Sequence, residues 1–406
     1  MPAKSARKDS AIFRQVCELI PPHMVIKIAR RYGIMFRAIT PWSHVVSMLY
    51  AQFTHAIGLN DVCDALRANR SPMATIRGAT PPSKNGLSNA NMTRDPKMAQ
   101  ELFWSVLSHL EKTYPGFGGV KFGKMPRRFK KAVYAVDSST IKLFANCMDW
   151  AKHRRRKAAA KLHLRLDLQT FLPAFAIVDS AKGHDSTKAH ELCAELKAGE
   201  IVVFDMAYID YKHLFLLNSR EVFWVCRVKD NMKLRCVKRI LKKPSGRILR
   251  DDIVVVAKPA KRKEYPHRMR RVTALVDING TDVEMVFFSN NLEWKASSIC
   301  DLYKSRWSIE TFFKQIKQTL NLGSFLGHSQ NAIQWQVWTA LLMYVLLRFL
   351  HACSDWEHSF TRLFTCLRAV LWQRRNILNY LKSYGIAGGS IKLLCSPQQA
   401  FLPGFV

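Results

Sequence analysis

The sequence is short of acidic residues. Its 406 residues include 63 Lys and Arg but only 30 Asp and Glu, so the formal net charge is +33. A compact chain with that charge repels itself unless a polyanion neutralises part of it, which makes nucleic acid the first partner to consider and an anionic membrane surface the second. The apolar fraction of 48% is ordinary for a globular protein and excludes a disordered chain. At this length we expect two or three domains.

Closely spaced cysteines are absent as well. Any two of the ten cysteines are at least ten residues apart. The lack of a Cys-x-x-Cys spacing argues against a zinc ribbon and a thioredoxin-like redox site. Scattered cysteines of this kind are typical of a reduced, intracellular protein, so we expect free thiols and a cytoplasmic location.

No apolar run has the length of a membrane span. The longest, Trp338 to Leu347, ends at Arg348 and falls short of the roughly 20 residues that a transmembrane helix needs. The first residues are basic, but no apolar signal segment follows them. A membrane-surface protein would need a basic amphipathic helix, which the pattern does not show. We therefore expect a buried helix here and no membrane partner.

The pattern of apolar residues divides the chain into four parts. We predict a helical N-terminal domain over 1–75, a linker and one helix over 76–130, a mixed domain over 131–325 and a helical C-terminal region over 326–406. The linker is expected because segment 71–91 carries Pro72, Pro81, Pro82 and Gly86, which indicates a linker or an exposed arm. Within the mixed domain, a β-rich insertion spans about 220–292.

Two acids lie at the ends of predicted buried strands. The apolar run 132–136 ends at Asp137, and the apolar run 201–204 ends at Asp205. Further strands are predicted at 162–168 and 171–178, and a helix at 187–197. This order is typical of a mixed α/β sheet. An isolated carboxylate at the end of a buried strand is costly, so both acids are expected to have a partner.

A predicted helix over 299–320 carries a polar stripe beside its apolar face. At 100° per residue, the apolar stripe consists of Ile309, Phe312, Phe313, Ile316 and Leu320. The polar stripe, within about 60° of arc, consists of Tyr303, Arg306, Glu310 and Lys317. On its own, this pattern also fits an ordinary i,i+4 salt bridge on the surface, worth a few tenths of a kcal/mol.

Asp137, Asp205 and Glu310 together indicate a site for a divalent cation. Three carboxylates from two strand ends and one helix are tolerated in a shared site when a metal ion neutralises them. Two Mg²⁺ ions about 4 Å apart would activate an attacking water or hydroxyl and stabilise the leaving 3′-oxygen of a phosphodiester. Carboxylate oxygens suit Mg²⁺, with Mn²⁺ as a substitute, and no soft ligand set competes.

These residues resemble the motifs of the bacterial insertion-sequence transposases of the DDE type, specifically the IS-four family. The family signature, Tyr-x2-Arg-x3-Glu-x6-Lys, is matched at all four positions, by Tyr303, Arg306, Glu310 and Lys317. The segment Asp137-Ser-Ser-Thr-Ile141 is similar to the first family motif. The segment Asp205-Met-Ala-Tyr208-Ile-Asp210 is similar to the second, with Met206 in place of the usual arginine.

The resemblance implies an α/β fold, with an RNase H-like catalytic core over 131–325 that a β-rich insertion interrupts and that helical N-terminal and C-terminal regions flank. It implies a DNA-binding role for 1–75. The implied enzyme is a metal-dependent DNA transposase that excises an insertion sequence through a 3′-hydroxyl, typically with a hairpin at the transposon end, and transfers it to a target. Asp137, Asp205 and Glu310 would be the catalytic metal ligands. The implied partner is double-stranded DNA, as transposon ends and target, bound by a homodimer at the bacterial nucleoid.

The resemblance also assigns side chains to DNA. Tyr303, Arg306 and Lys317 would contact phosphate near the cleaved end. Trp294, late in the insertion, is a candidate for stacking on a flipped base. Trp307 lies beside the polar stripe, where we favour packing next to the core helix over a DNA contact.

A catalytically inactive copy that binds transposon ends as a repressor is the alternative function. The intact set of Asp137, Asp205 and Glu310 argues against it. Metal-dependent nicking of DNA would separate the two.

Overall fold

The structure, a computed structural model, describes residues 10–34, 39–119, 128–143, 152–154, 157–180, 185–228, 232–278, 280–322, 325–354 and 356–383. The chain forms two compact units. The first combines Met1–Gly118 with Lys314–Val406, and the second comprises Gly119–Phe313. The two ends of the chain therefore build one unit, which a linear division of the sequence does not reveal.

Helices occur in both units, whereas the described strands all lie in the second. In chain order they are α1 (Ile12–Glu18), α2 (Met24–Arg31), α3 (Pro41–Thr54), α4 (Leu59–Ala68), α5 (Arg70–Ala74), α6 (Lys84–Thr93), α7 (Lys97–Thr113), α8 (Pro115–Gly119), α9 (Asp185–Leu192), α10 (Tyr211–Ser219), α11 (Pro259–Glu264), α12 (Ala296–Ser305), α13 (Ser308–Lys314), α14 (Gln330–Cys353), α15 (Phe360–Ala369) and α16 (Ile377–Lys382). A 3₁₀ turn spans Met206–Tyr208 and a π-helical turn spans Gln315–Thr319.

Helix α14 is the centre of the first unit. Every residue from Trp335 to Leu350 is buried, and the helix contacts α3, α6, α7 and α15. In the described part of the chain, α14 is the one helix with the length and composition of a membrane span, yet 89% of its most apolar window is buried against protein. That degree of burial is typical of a core helix, in agreement with the buried helix predicted around Trp338 to Leu347.

The segment 71–91, expected to be a linker or an exposed arm, is partly helical and packed. Helix α6 begins where the Ser83 hydroxyl accepts a hydrogen bond from the Gly86 N–H at 3.1 Å. Leu87 and Asn91 are buried, and α6 contacts α4 and α14. The expectation was wrong because the prolines of this segment all precede α6, where they do not interrupt its hydrogen bonds.

Among the described residues of the second unit, ten strands form a single sheet. They are β1 (Val133–Leu143), β2 (Lys152–Arg154), β3 (Lys157–Asp167), β4 (Pro173–Ser180), β5 (Ile201–Phe204), β6 (Phe223–Arg227), β7 (Leu234–Arg239), β8 (Ile248–Val256), β9 (Met269–Ile278) and β10 (Thr281–Ser289). Their order is β2-β3-β1-β5-β6-β10-β9-β8-β7, with β4 also paired to β3. Strands β5 and β6 run parallel to β1, whereas β3 is antiparallel to both β1 and β4. This mixed sheet confirms the predicted α/β class.

The strand that carries Asp137 is longer than predicted. Strand β1 was expected to end at this residue but continues to Leu143. Its parallel pairing with β5 stops at Val136, opposite Phe204, while its antiparallel pairing with β3 extends to Leu143. The apolar run therefore marks where β1 leaves its buried neighbour β5, and not where the strand ends.

The predicted insertion extends the central sheet. Strand β10 pairs with β6 over Phe287 to Ser289, and β9, β8 and β7 follow in antiparallel order. The insertion contains a buried ion pair between β8 and β9. Arg270 donates two hydrogen bonds, each 2.6 Å long, to the two carboxylate oxygens of Asp251. Arg270 also donates to the Leu292 carbonyl, so the pair ties β8 and β9 to the segment that leads into α12. Two parallel hydrogen bonds between a guanidinium and a carboxylate fix the relative orientation of the two side chains, in addition to pairing their charges.

We expect Asp251→Ala to lower the free energy of unfolding by about 3–5 kcal/mol, because it leaves the buried guanidinium of Arg270 without its counter-charge. The exposed pair of Arg247 and Asp282 is the matched control. Asp282→Ala should change the free energy of unfolding by no more than about 1 kcal/mol. Urea denaturation of both variants measures the difference, and equal effects would show that the buried pair contributes no more than a surface one.

The predicted helix over 299–320 is interrupted. Helix α12 ends at Ser305 and α13 begins at Ser308. Between them the backbone N–H groups of Arg306, Trp307 and Ile309 donate to carbonyls three residues earlier, which tightens the turn. The prediction of one continuous helix was wrong. The sequence contains no glycine or proline here, and the periodicity of apolar residues does not reveal a tightened turn.

Candidate active site

Asp137 and Asp205 are the residues that come directly after the last paired position of the neighbouring parallel strands β1 and β5. Val136 of β1 is in register with Phe204 of β5, and each acid is the next residue along its strand. The backbone N–H of the following residue donates to each carboxylate at 2.7 Å: Ser138 to Asp137 and Met206 to Asp205. The sheet therefore brings two carboxylates from positions 68 residues apart to the same edge.

Glu310 reaches the same site through Arg306. The Arg306 guanidinium donates to Asp137 Oδ2 at 2.8 Å and to Glu310 Oε1 at 3.0 Å. The Arg306 side chain is 8% exposed, whereas that of Glu310 is 60% exposed. This pairing is more than the i,i+4 surface bridge that the sequence alone allowed, because its cation is buried and shared with a second acid.

Tyr303 completes the link to Asp205. Its hydroxyl donates to Asp205 Oδ1 at 3.3 Å, and its ring packs against Phe287 of β10 with a centroid distance of 4.8 Å. Burial raises the pKa of Tyr303 to about 12, so its hydroxyl keeps its proton and remains a donor at neutral pH. Ring packing in the core thus holds a donor beside the second acid.

Negative charge exceeds positive charge among these groups. Asp137 and Glu310 share the guanidinium of Arg306, whose charge also attracts Asp205. Burial raises the pKa of Asp137 to about 6, against the lowering effect of Arg306 and of the Ser138 N–H, and the charges of Asp205 and Glu310 add to the rise. Burial lowers the pKa of Arg306, but the attraction of Asp137, Asp205 and Glu310 outweighs it. Among these four side chains, the excess of negative charge favours a further cation.

The donor set suits a hard divalent cation, which prefers carboxylate oxygens. Within the described ranges, however, no three His, Cys, Asp or Glu side chains are grouped closely enough to hold an ion. Asp137 and Glu310 bond to Arg306, and Asp205 bonds to Tyr303. The three carboxylates therefore fit such a cation in chemistry and charge. In this structure, however, they accept hydrogen bonds from Arg306 and Tyr303.

Two family models match the chain. One, described as a transposase DDE domain, matches residues 128–346, which is more than half of the chain. The other, a domain of unknown function (DUF4372), matches residues 8–75. The chain belongs to the DDE transposase family. Domains of this family generally use divalent metal ions, in agreement with the excess of carboxylates at the site.

Curated relatives are described as probable or putative transposases, two of them for insertion sequence elements. The chain is 31% identical over 226 residues to a probable transposase for insertion sequence element IS5377 of Geobacillus stearothermophilus, which covers 55% of this chain and 58% of the relative. It is 26% identical over 321 residues to the putative transposase y4zB of Sinorhizobium fredii, which covers 78% of this chain and 85% of the relative. It is 23% identical over 271 residues to a putative transposase for IS4SA of Synechocystis, covering 65% and 70%.

Among solved structures, the chain is similar to the piggyBac transposase in its synaptic complex with hairpin DNA. The sequence identity is 10% and the TM-score 0.43, over 91% of this chain and 80% of the other.

The remaining predicted DNA-contacting residues of this DDE transposase lie in different places. Lys317 is half-buried on the π-helical turn, which belongs to the first unit. Trp307 is half-buried in the tightened turn between α12 and α13. The Trp294 ring packs against Phe223 and Phe129, with centroid distances of 5.1 and 6.3 Å. Phe223 pairs with Ile201 at the start of β5, so Trp294 lies at the opposite edge of the sheet from Asp205, and its stacking on a base stays a prediction.

Arg227 is a further charged residue beside the site, and it was not predicted from the sequence. This arginine ends β6, the strand next to β5, and its charge is close enough to lower the pKa of Tyr303 against the effect of burial. It follows the apolar run 223–226, the same signal that singled out Asp205. A search for any charged residue at the end of a buried strand would have found it.

Proposed function

We propose that this chain catalyses divalent-metal-dependent excision of an insertion sequence and its strand transfer to target DNA, with Mg²⁺ as the natural cation and Mn²⁺ as a substitute. The observation that carries the proposal is the shared edge of β1 and β5, where Asp137 and Asp205 each follow a paired position and Arg306 links Asp137 to Glu310. Three carboxylates, two of them bonded to one guanidinium, in a chain of net charge +33 suit a metal ion bound together with a polyanion.

In this proposal, Asp137, Asp205 and Glu310 hold the cation. When bound, it supplies an activated water or 3′-hydroxyl and stabilises the leaving oxygen of the phosphodiester. The N–H groups of Ser138 and Met206 orient the two aspartates, since each donates to the Oδ1 atom and leaves the other oxygen free of that bond. The buried Tyr303 ring keeps its hydroxyl at the site as a donor.

DNA positioning falls to the cationic and donor side chains. Arg306, Lys317 and Tyr303 bind phosphate near the cleaved end, and residues 1–75 and the basic insertion hold flanking duplex. Contacts to phosphate place the strand without reading its sequence. The working form would be a homodimer on two transposon ends, acting at the bacterial nucleoid in the cytoplasm.

The proposal predicts Mg²⁺-dependent nicking of a duplex that ends in the terminal repeat read from the DNA flanking the gene. The purified chain should release a 3′-hydroxyl at the repeat boundary and then join it to a supercoiled target plasmid, and both steps should stop when the cation is chelated. Gel analysis of end-labelled strands measures them. A chain that binds the duplex but nicks nothing with Mg²⁺ or Mn²⁺ would instead be the inactive, end-binding repressor.

A further inference from the structure

Arg306 lies where the cation of the proposed function would be expected. Its guanidinium bonds to the carboxylates of both Asp137 and Glu310, and the residue is only 6% exposed. Its Nε atom is buried and makes no hydrogen bond within the described part of the chain. Arg306 is thus held by two acids, while one of its buried N–H groups lacks a hydrogen-bond acceptor among the described residues.

The guanidinium and a metal ion would compete for the same two carboxylates. A divalent cation placed between Asp137 and Glu310 would compete for their lone pairs and would be repelled by the charge of Arg306. Phosphate is an alternative partner for arginine, because the planar guanidinium can donate two parallel hydrogen bonds to phosphate oxygens just as it does to a carboxylate. A phosphate at the site would therefore offer Arg306 a replacement for the two acids.

We propose that Arg306 is an exchangeable counter-ion, which pairs with Asp137 and Glu310 in the free protein and transfers to a phosphate of a bound DNA end. The transfer frees both carboxylates for the divalent cation. The inference rests on the proposed function and adds an order to it: the DNA end binds first, and the metal site is completed afterwards. DNA and cation would then bind cooperatively, each raising the affinity for the other by the same factor.

The test is calorimetric titration of MnCl₂ into the full chain, alone and with a pre-cleaved terminal-repeat duplex on which no cleavage accompanies binding. We expect the duplex to tighten Mn²⁺ binding by about tenfold, equivalent to about 1.4 kcal/mol of coupling. Arg306→Gln should bind Mn²⁺ about tenfold more tightly than the wild type without DNA, because its carboxylates are already free. The duplex should then cause no further change. Electron paramagnetic resonance of bound Mn²⁺ gives an independent readout.

Lys304→Gln is the matched control, because it removes one positive charge from an exposed position of α12, two residues from Arg306. Its Mn²⁺ affinities should equal those of the wild type in both states. Arg306→Lys keeps the charge without the planar fork and should give intermediate coupling, and it serves if the glutamine variant does not fold.

Two results would overturn the exchange while leaving the proposed function intact. One is an equal Mn²⁺ affinity of the wild type with and without the duplex, which needs no variant. The other is an Arg306→Gln chain that folds but binds Mn²⁺ no more tightly than the wild type without DNA. A wild-type chain that binds no Mn²⁺ even with the duplex would overturn the proposed function and the exchange together.

Discussion

Replacing any one of Asp137, Asp205 and Glu310 by its amide should reduce Mg²⁺-dependent cleavage of the transposon end by about a thousandfold or more, because a bound cation supplies several kcal/mol of transition-state stabilisation. The amides keep the shape of the side chains and remove the charge that the cation requires. Affinity for the end duplex should be unchanged or slightly higher, since each change removes a negative charge near phosphate. Single-turnover cleavage and gel-shift assays on the same preparations measure the two quantities.

Asp301→Asn is the control for this prediction. Asp301 lies on α12, as Tyr303 does, but its carboxylate is 44% exposed and pairs with Arg128. The variant should cleave at the wild-type rate. Wild-type cleavage by any of the three site variants would remove that carboxylate from the mechanism, and loss of end binding would mean that the change had disturbed the fold.

Reversing the exposed charges of the insertion should abolish most of the non-specific affinity for DNA. Residues 229–271 contain 16 Lys and Arg against four acids, a net charge of +12, more than a third of that of the chain. Arg250, Arg270 and Arg271 are already paired with Asp251 and Asp252. The exposed charge is therefore concentrated on the β7–β8 hairpin, at Lys238, Arg239, Lys242 and Lys243, and on α11, at Lys261, Arg262 and Lys263.

Changing the four hairpin residues to Glu should flatten the slope of log affinity against log salt by about 3–4, because each phosphate that is no longer neutralised reduces the slope by about 0.9. Binding of end duplex and of random duplex should weaken by similar factors, because phosphate contacts carry no sequence. Fluorescence anisotropy between low and moderate salt measures both. The triple reversal on α11 tests the second patch in the same way.

The control set is Lys130, Lys131 and Lys197, which are exposed and precede β1 and β5 at the edge of the sheet opposite Asp137 and Asp205. Their reversal changes the net charge of the chain by a similar amount and should leave the salt slope almost unaltered. An unchanged slope in both insertion variants would mean that the insertion faces solvent or protein, and that DNA follows another path.

The residues of the candidate site could be predicted from the sequence because each lies in a strong local pattern. Buried apolar runs pointed to Asp137 and Asp205, and helical periodicity separated the stripe of Tyr303, Arg306, Glu310 and Lys317 from the apolar face. The residues of that apolar face, among them Ile309 and Phe312, are buried as predicted. The free cysteines of the described ranges also agree with the prediction.

The partners of these residues were decided by the tertiary structure alone. The register of Val136 with Phe204, which sets Asp137 and Asp205 at one level, depends on pairing between strands far apart in the chain. The sequence offered Arg306 a neighbour four residues away, Glu310, and only the packing of α12 and the following turn against the sheet gave it a second, Asp137. In the same way, the joining of both chain ends in one unit and the break before Ser308 leave no local signal. Local patterns determine which side chains are buried or polar, but long-range contacts decide which charges meet, because the free energy of a buried ion depends on everything that surrounds it.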